Sequence, residues 1–206
     1  MLAVLGATPR EVRAEGAAPP PDPAELIDVT SVIPDVVLDI RYATTANFTG
    51  TVLYPVAVCK LRRAVAERLA RAAARLRTQD RRLLIWDCYR PRSIQALLWE
   101  RVPDPRYVAP PKVGSRHNRG AAIDLGLADA AGAPVMMPTA FDEFSRAAHR
   151  AQALVGPRGV EARRLDKAMR QAGFRGLATE WWHYDAPGSA RFSISDESLD
   201  PRPASE

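Results

Sequence analysis

The sequence predicts an α+β domain in which a small antiparallel or mixed sheet is flanked by helices. Three to four short apolar runs bounded by proline, glycine and polar residues read as strands. Apolar positions recurring every three and four residues read as helices, and the strands are too unevenly spaced for regular βαβ units. The 206 residues suffice for one buried core. A content of 47% hydrophobic and 26% charged residues is that of a soluble globular chain.

Residues 1–25, which include AAPPPDP, carry little periodicity and are expected to form a flexible leader or the remnant of a secretion signal. The domain is expected to run from Leu26 to about residue 190. Residues 36–42 alternate well enough for a strand, and ATTANFTG after them reads as a polar loop. Val65, Leu69, Ala72, Ala73 and Leu76 have the spacing of an amphipathic helix over 62–78. LLIWD (83–87) reads as a short buried strand, and a helix follows the Arg90-Pro91 break over about 93–102. Four prolines and a glycine make 103–115 a loop, and the second half of SRHNRGAAIDLGL is a strand. Helices are expected over 141–152 and 160–172, the latter closed by Gly173. TEWWHYD ends the domain as a buried strand, and residues 191–206 form a tail thin in core residues.

The net charge of +5 rests almost entirely on arginine, since Lys60, Lys112 and Lys167 are the lysines. The arginines are dispersed and alternate with acids or border apolar stripes, as solvated helix faces do. No concentrated basic patch with stacking aromatics is visible, which excludes a nucleic-acid partner. No run approaches the ~18 apolar residues of a membrane span. Cys59 and Cys88 are too few for a disulfide scaffold; free core thiols and a single bridge both fit.

Histidine is scarce: His117, His149 and His183 are all there are. His117 precedes a turn at Gly120, after which Asp124 stands inside an apolar strand, where a carboxylate is costly to bury unless paired or metal-bound. Glu180 and His183 are set among Trp181, Trp182 and Tyr184, surroundings that exclude water. Imidazole and carboxylate together suit zinc, and catalytic zinc commonly has three protein ligands with one position open. His117, Asp124 and His183 make that count, with Glu180 left to handle protons. Taken singly, each histidine equally fits a hydrogen-bonded core residue, and Glu180 fits a salt bridge to an arginine. Residues three apart on an ideal strand face opposite ways, so Glu180 and His183 can share a metal only if the strand is irregular there.

The stretch Ser115-Arg116-His117-Asn118-Arg119-Gly120-Ala121-Ala122-Ile123-Asp124, together with Glu180-Trp181-Trp182-His183, resembles the zinc D-alanyl-D-alanine dipeptidases of the VanX type. So do Asp39 to Thr44 with Asn47 to Gly50, Trp86 to Pro91, and Phe141 to Glu143, all in the family's order over residues 26–186. The resemblance implies one zinc ion per chain on His117, Asp124 and His183, with Glu180 as general base and acid. It places Arg90 beside the substrate carbonyl, where a structural ion pair is the other reading. Tyr42 and Asp142 would recognise the free ammonium of a small dipeptide and Ser115 its carboxylate end, although each of the three equally fits a cap or a core hydrogen bond.

Cys88 stands where the best-known members are expected to carry glycine, and a bridge to Cys59 would fit an exported, periplasmic enzyme rather than a cytoplasmic one. Two rival activities accompany the resemblance. One is a D,D-carboxypeptidase or endopeptidase acting on cell-wall stem peptides. The other is a non-catalytic zinc-bearing domain of the same fold, as in Hedgehog-type signalling domains, which has no use for Glu180 and Arg90 beside the ligands.

Overall fold

The computed structural model describes residues 20–200. Most of the expected leader, 1–19, and the last six residues of the tail lie outside the described residues. In chain order the elements are β1 (Leu26–Asp28), β2 (Val37–Leu38), β3 (Lys60–Arg62), α1 (Arg63–Arg77), β4 (Arg81–Asp87), α2 (Arg92–Arg101), β5 (Ala122–Asp129), α3 (Arg150–Ala153), α4 (Val160–Gln171), β6 (Arg175–Leu177) and β7 (Glu180–Asp185). β1 and β3 form an antiparallel ribbon. The main sheet has the order β2-β4-β5-β7-β6, with β2 parallel to β4 and every other pair antiparallel, so the sheet is mixed.

α1 and α4 pack against each other and against the central strands. The stripe that α1 turns inward is the one its periodicity predicts: Val65, Leu69, Ala72, Ala73 and Leu76 are all buried, with Ala66 beside them. Leu69 and Leu76 are wholly removed from water, each contributing roughly 1.5–3 kcal/mol. The close fit of α1 to α4 follows from the small residues Ala72, Ala73 and Ala168 on the buried faces. α4 ends where Gly173 adopts φ 88°. Its N–H bonds to Arg170 O at 2.9 Å and that of Phe174 to Met169 O at 3.0 Å, the paired bonds that close a helix through a left-handed residue.

Three expectations are corrected. The strand over 36–42 shrinks to Val37–Leu38, because Arg41–Ala43 curl into a 3-10 turn that aims Tyr42 inward. No helix spans 141–152. Asp142 has φ 58°, which an α-helix cannot accommodate, and only a 3-10 turn, Arg146–Ala148, and the four-residue α3 follow. The stretch after 190 is not thin in core residues, since Phe192 and Leu199 are both buried.

Of the two readings left open for the cysteines, the structure has the bridge: Cys59 and Cys88 are disulfide-bonded with their Cα atoms 5.3 Å apart. Among the described residues no helix is long and apolar enough to cross a membrane.

Candidate metal centre

The sheet register brings the candidate ligands together. In the antiparallel ladders Asp87 on β4 faces Asp124 on β5, and Asp124 faces His183 on β7, so three polar side chains form a row across three strands. All three are buried. His117 comes to the row from the 3-10 turn His117–Arg119, which Gly120 ends in the left-handed conformation at φ 63°. A Cβ at Gly120 would lie 2.6 Å from Leu26 Cδ2 and 3.3 Å from Arg62 N. Gly120→Ala is therefore expected to cost about 1–2 kcal/mol from the left-handed backbone alone. That corresponds to a fall in Tm of roughly 3–6 °C by calorimetry for a domain of this size.

The irregularity that Glu180 and His183 require occurs where β6 meets β7. Gly176 pairs with Tyr184, yet the next residue, Leu177, pairs with Glu180. Trp181, Trp182 and His183 thus have no partners on β6, the strand rolls, and Glu180 Oε2 comes within 3.9 Å of His183 Nδ1. Trp181 and Trp182 are fully buried, with their ring centroids 5.5 Å apart in an edge-to-face contact.

Hydrogen bonding settles which nitrogen of each imidazole faces inward. His117 Nδ1 lies 2.7 Å from the carbonyl of Cys88, which can only accept, so that nitrogen carries the proton and Nε2 presents a lone pair. His183 Nε2 lies 3.0 Å from Asp185 Oδ1, which leaves Nδ1 facing the row. The inward atoms stand 3.2 Å apart (His117 Nε2 to His183 Nδ1), 2.9 Å (His183 Nδ1 to Asp124 Oδ1) and 3.4 Å (His117 Nε2 to Asp124 Oδ2).

Three acceptors converging in a buried space repel one another unless a cation lies between them. Donors at tetrahedral zinc distances would be about 3.3 Å apart, so the triad fits the ion in both chemistry and spacing. Without a metal a proton takes that place. Burial alone would push His183 down, but hydrogen bonds to Asp124 and Asp185 and the charges of Asp124 and Glu180 hold it up at about 10. Burial likewise works against ionised Asp124, yet His117 and His183 keep it well below the usual carboxylate range.

All eight catalytic, metal and substrate-binding positions expected from the sequence line one cavity of about 540 Å³: Tyr42, Arg90, Ser115, His117, Asp124, Asp142, Glu180 and His183. Burial pushes Glu180 up to about 7, opposed by His183 and reinforced by Asp124. Arg90 is both things the sequence allowed. Its Nε and one terminal nitrogen bond Asp87 Oδ2 at 3.1 and 2.6 Å, and the other bonds Gln95 Oε1 at 2.9 Å. Three of five N–H groups are so used, which leaves two for the cavity. Tyr42 donates to Asp142 Oδ2 at 3.0 Å, and burial followed by the charge of Asp124 raises Asp142 well above a normal carboxylate. Ser115 Oγ accepts from the His117 N–H at 3.2 Å.

Sequence reasoning overlooked the residues that brace these. Asp87 Oδ1 accepts from Tyr54 at 2.6 Å and from the Cys88 N–H at 2.9 Å, while Asn118 donates to Arg90 O at 2.8 Å. Asp185 holds both His183 and, at 3.2 Å, Arg116. An aspartate closing the apolar run LLIWD, three residues before Arg90, was the one local signal available.

A buried His/Asp/His triad, open to a cavity and flanked by a carboxylate, defines the class of single-metal hydrolases. A family profile described as D-ala-D-ala dipeptidase, of peptidase family M15, matches residues 22–200, and the chain belongs to that family. It is 37% identical over 174 residues to the D-alanyl-D-alanine dipeptidase of Escherichia coli K12, covering 84% of this chain and 90% of that protein. It is 34% identical to the enzyme of the same name from Enterococcus faecium and 31% identical to that of Streptomyces coelicolor. These matches cover 71% and 76% of this chain, and 83% and 88% of the relatives.

Proposed function

We propose that this protein hydrolyses the dipeptide D-alanyl-D-alanine to two D-alanines, using one zinc ion held by His117, Asp124 and His183. The observation that carries the reading is the convergence of three buried lone-pair donors whose outward N–H groups are already committed to Cys88 O and Asp185. Zinc bound there supplies Lewis acidity, which acidifies water and polarises a carbonyl.

The chain's own residues do the rest. Glu180, lifted towards neutrality by burial, takes a proton from the attacking water on its carboxylate and returns it to the leaving amine. Arg90 turns its two remaining N–H groups to the developing charge on the scissile oxygen, and its bonds to Asp87 and Gln95 hold it there without reorganisation. Asp142, paired with Tyr42, recognises the free ammonium; a bound cation beside it restores the charge that burial disfavours. Ser115 serves the carboxylate end. A peptide with a blocked amino end leaves Asp142 without its partner, which is the basis of selectivity for free dipeptide. The Cys59–Cys88 bridge supports an exported location, where disulfides persist.

The test is release of D-alanine from D-alanyl-D-alanine and from its N-acetylated form, after chelation and after zinc is restored. Zinc-dependent cleavage of the free dipeptide alone is expected. Comparable cleavage of the acetylated form would replace this reading with a carboxypeptidase, and no turnover of either with zinc bound would replace it with a binding domain.

A further inference from the structure

We infer that the Cys59–Cys88 disulfide is a positioning element of the metal centre, fixing the carbonyl that orients His117; this rests on the metal-site reading above. On its outer side the imidazole of His117 donates Nδ1–H to Cys88 O at 2.7 Å, with Asp87 Oδ2 farther off at 3.5 Å. Cys88 lies one residue beyond the last ladder pair of β4, Asp87 with Asp124, so β5 no longer holds its peptide. What holds it is the Asp87 carboxylate on its N–H, the bond from the next N–H, Tyr89, to Lys60 O at 2.9 Å, and the covalent link to Cys59.

Cys59 is itself anchored. Its carbonyl accepts from Val29 N–H at 2.9 Å, it is wholly buried, and it leads directly into β3. β3 also carries the backbone of the His117 turn: Arg62 N–H donates to Gly120 O at 3.0 Å and Arg62 Nε–H to Arg119 O at 2.9 Å. A closed circuit results. It runs from the His117 ring to Cys88, through the disulfide to Cys59, along β3 to Arg62, and back through Arg119 and Gly120 to His117.

Ring and backbone of this candidate ligand are therefore referred to one frame, closed by the disulfide and by hydrogen bonds, which restrains Nε2 from turning away from Asp124 and His183. With the disulfide removed, the Cys88 peptide keeps the Tyr89–Lys60 bond and the Asp87 contact, and, two residues on, the Arg90 N–H still donates to His117 O at 3.1 Å. Groups that orient a ligating imidazole commonly control metal affinity by 10–100-fold.

The experiment is a zinc competition titration of the full chain against a chromogenic chelator, at a temperature where circular dichroism shows every protein folded. Cys59→Ala/Cys88→Ala is compared with wild type; alanine is chosen because free thiols would themselves take zinc. The Kd is expected to rise by about 10-fold or more. Leu76→Ala, in the core of α1 and remote from the site, controls for general loss of stability and is expected to keep the wild-type Kd within twofold.

If the alanine pair does not fold, Cys59→Val/Cys88→Ala, which refills the buried volume, is titrated instead. A bridge-free protein that binds zinc within twofold of wild type would overturn the inference while leaving the metal site intact. A wild-type protein that binds no zinc would overturn the metal reading beneath it.

Discussion

Glu180→Gln is expected to lower kcat on D-alanyl-D-alanine by about 10²–10⁴-fold, the range contributed by a positioned proton-transfer group. Zinc stoichiometry should stay at one per chain, because Glu180 lies outside the triad whose inward atoms are 2.9–3.4 Å apart. The same variant should move stability the other way. The folded-state pKa of Glu180 is raised to about 7 from 4.5, first by burial, so ionising it favours the unfolded chain.

The sign follows directly. Between pH 4.5 and 7 the native metal-free protein holds a proton that the unfolded chain has released, so native stability falls across that window and the loss is complete above it. Metal-free Glu180→Gln protein should therefore be more stable than metal-free wild type at pH 8, with the gap closing as pH falls towards 4.5 in urea titrations. Retained activity, or lost zinc, would show that the proton is carried elsewhere or that Glu180 is a ligand. A carboxylate that costs stability and is kept for chemistry is a common feature of active sites.

Where the physics is local, the fold was legible. α1, β4 and β7 fall within a residue or two of the positions read from periodicity and apolar runs, since one buried stripe or one short apolar run suffices to specify each. The candidate triad was legible for another reason. With three histidines in the chain, two of them beside misplaced acids, few other combinations exist. The 141–152 segment misled because its apolar spacing suits a helix, whereas Asp142 has φ 58° and its side chain bonds Tyr42, 100 positions away in sequence. Tyr54 and Gln95 carry no local signal at all, since their partners Asp87 and Arg90 are brought to them by the sheet and by α2. Phe192 and Leu199 are isolated apolar residues in a polar stretch, and only the finished surface shows what they cover.

Asp87→Ala should be the most destabilising single change near the site, at about 3–5 kcal/mol. For a domain of this size that is a drop in Tm of roughly 10 °C or more. Asp87 has no exposed surface and Arg90 almost none, so removing the carboxylate leaves the guanidinium without a counter-charge bonded to it, with the Gln95 amide and the face of Tyr42 beside it. Burial works against that charge, and it is Asp87 first among its neighbours that keeps Arg90 firmly protonated. The Tyr54 hydroxyl and the Cys88 N–H lose their acceptor at the same time.

The half-exposed pair Arg77–Asp35 makes the contrast, because Arg77→Ala there should cost no more than about 1 kcal/mol. Replacing both partners, as Asp87→Leu/Arg90→Met, should recover part of the stability, since no buried charge is then left alone. Recovery stays partial because Tyr54 and Cys88 remain unpaired. Activity should not recover, because the two N–H groups proposed to meet the substrate are gone. Urea denaturation and D-alanine release on the same three proteins separate the two roles. Stability and activity returning together in the double variant would show that Arg90 acts on the fold alone.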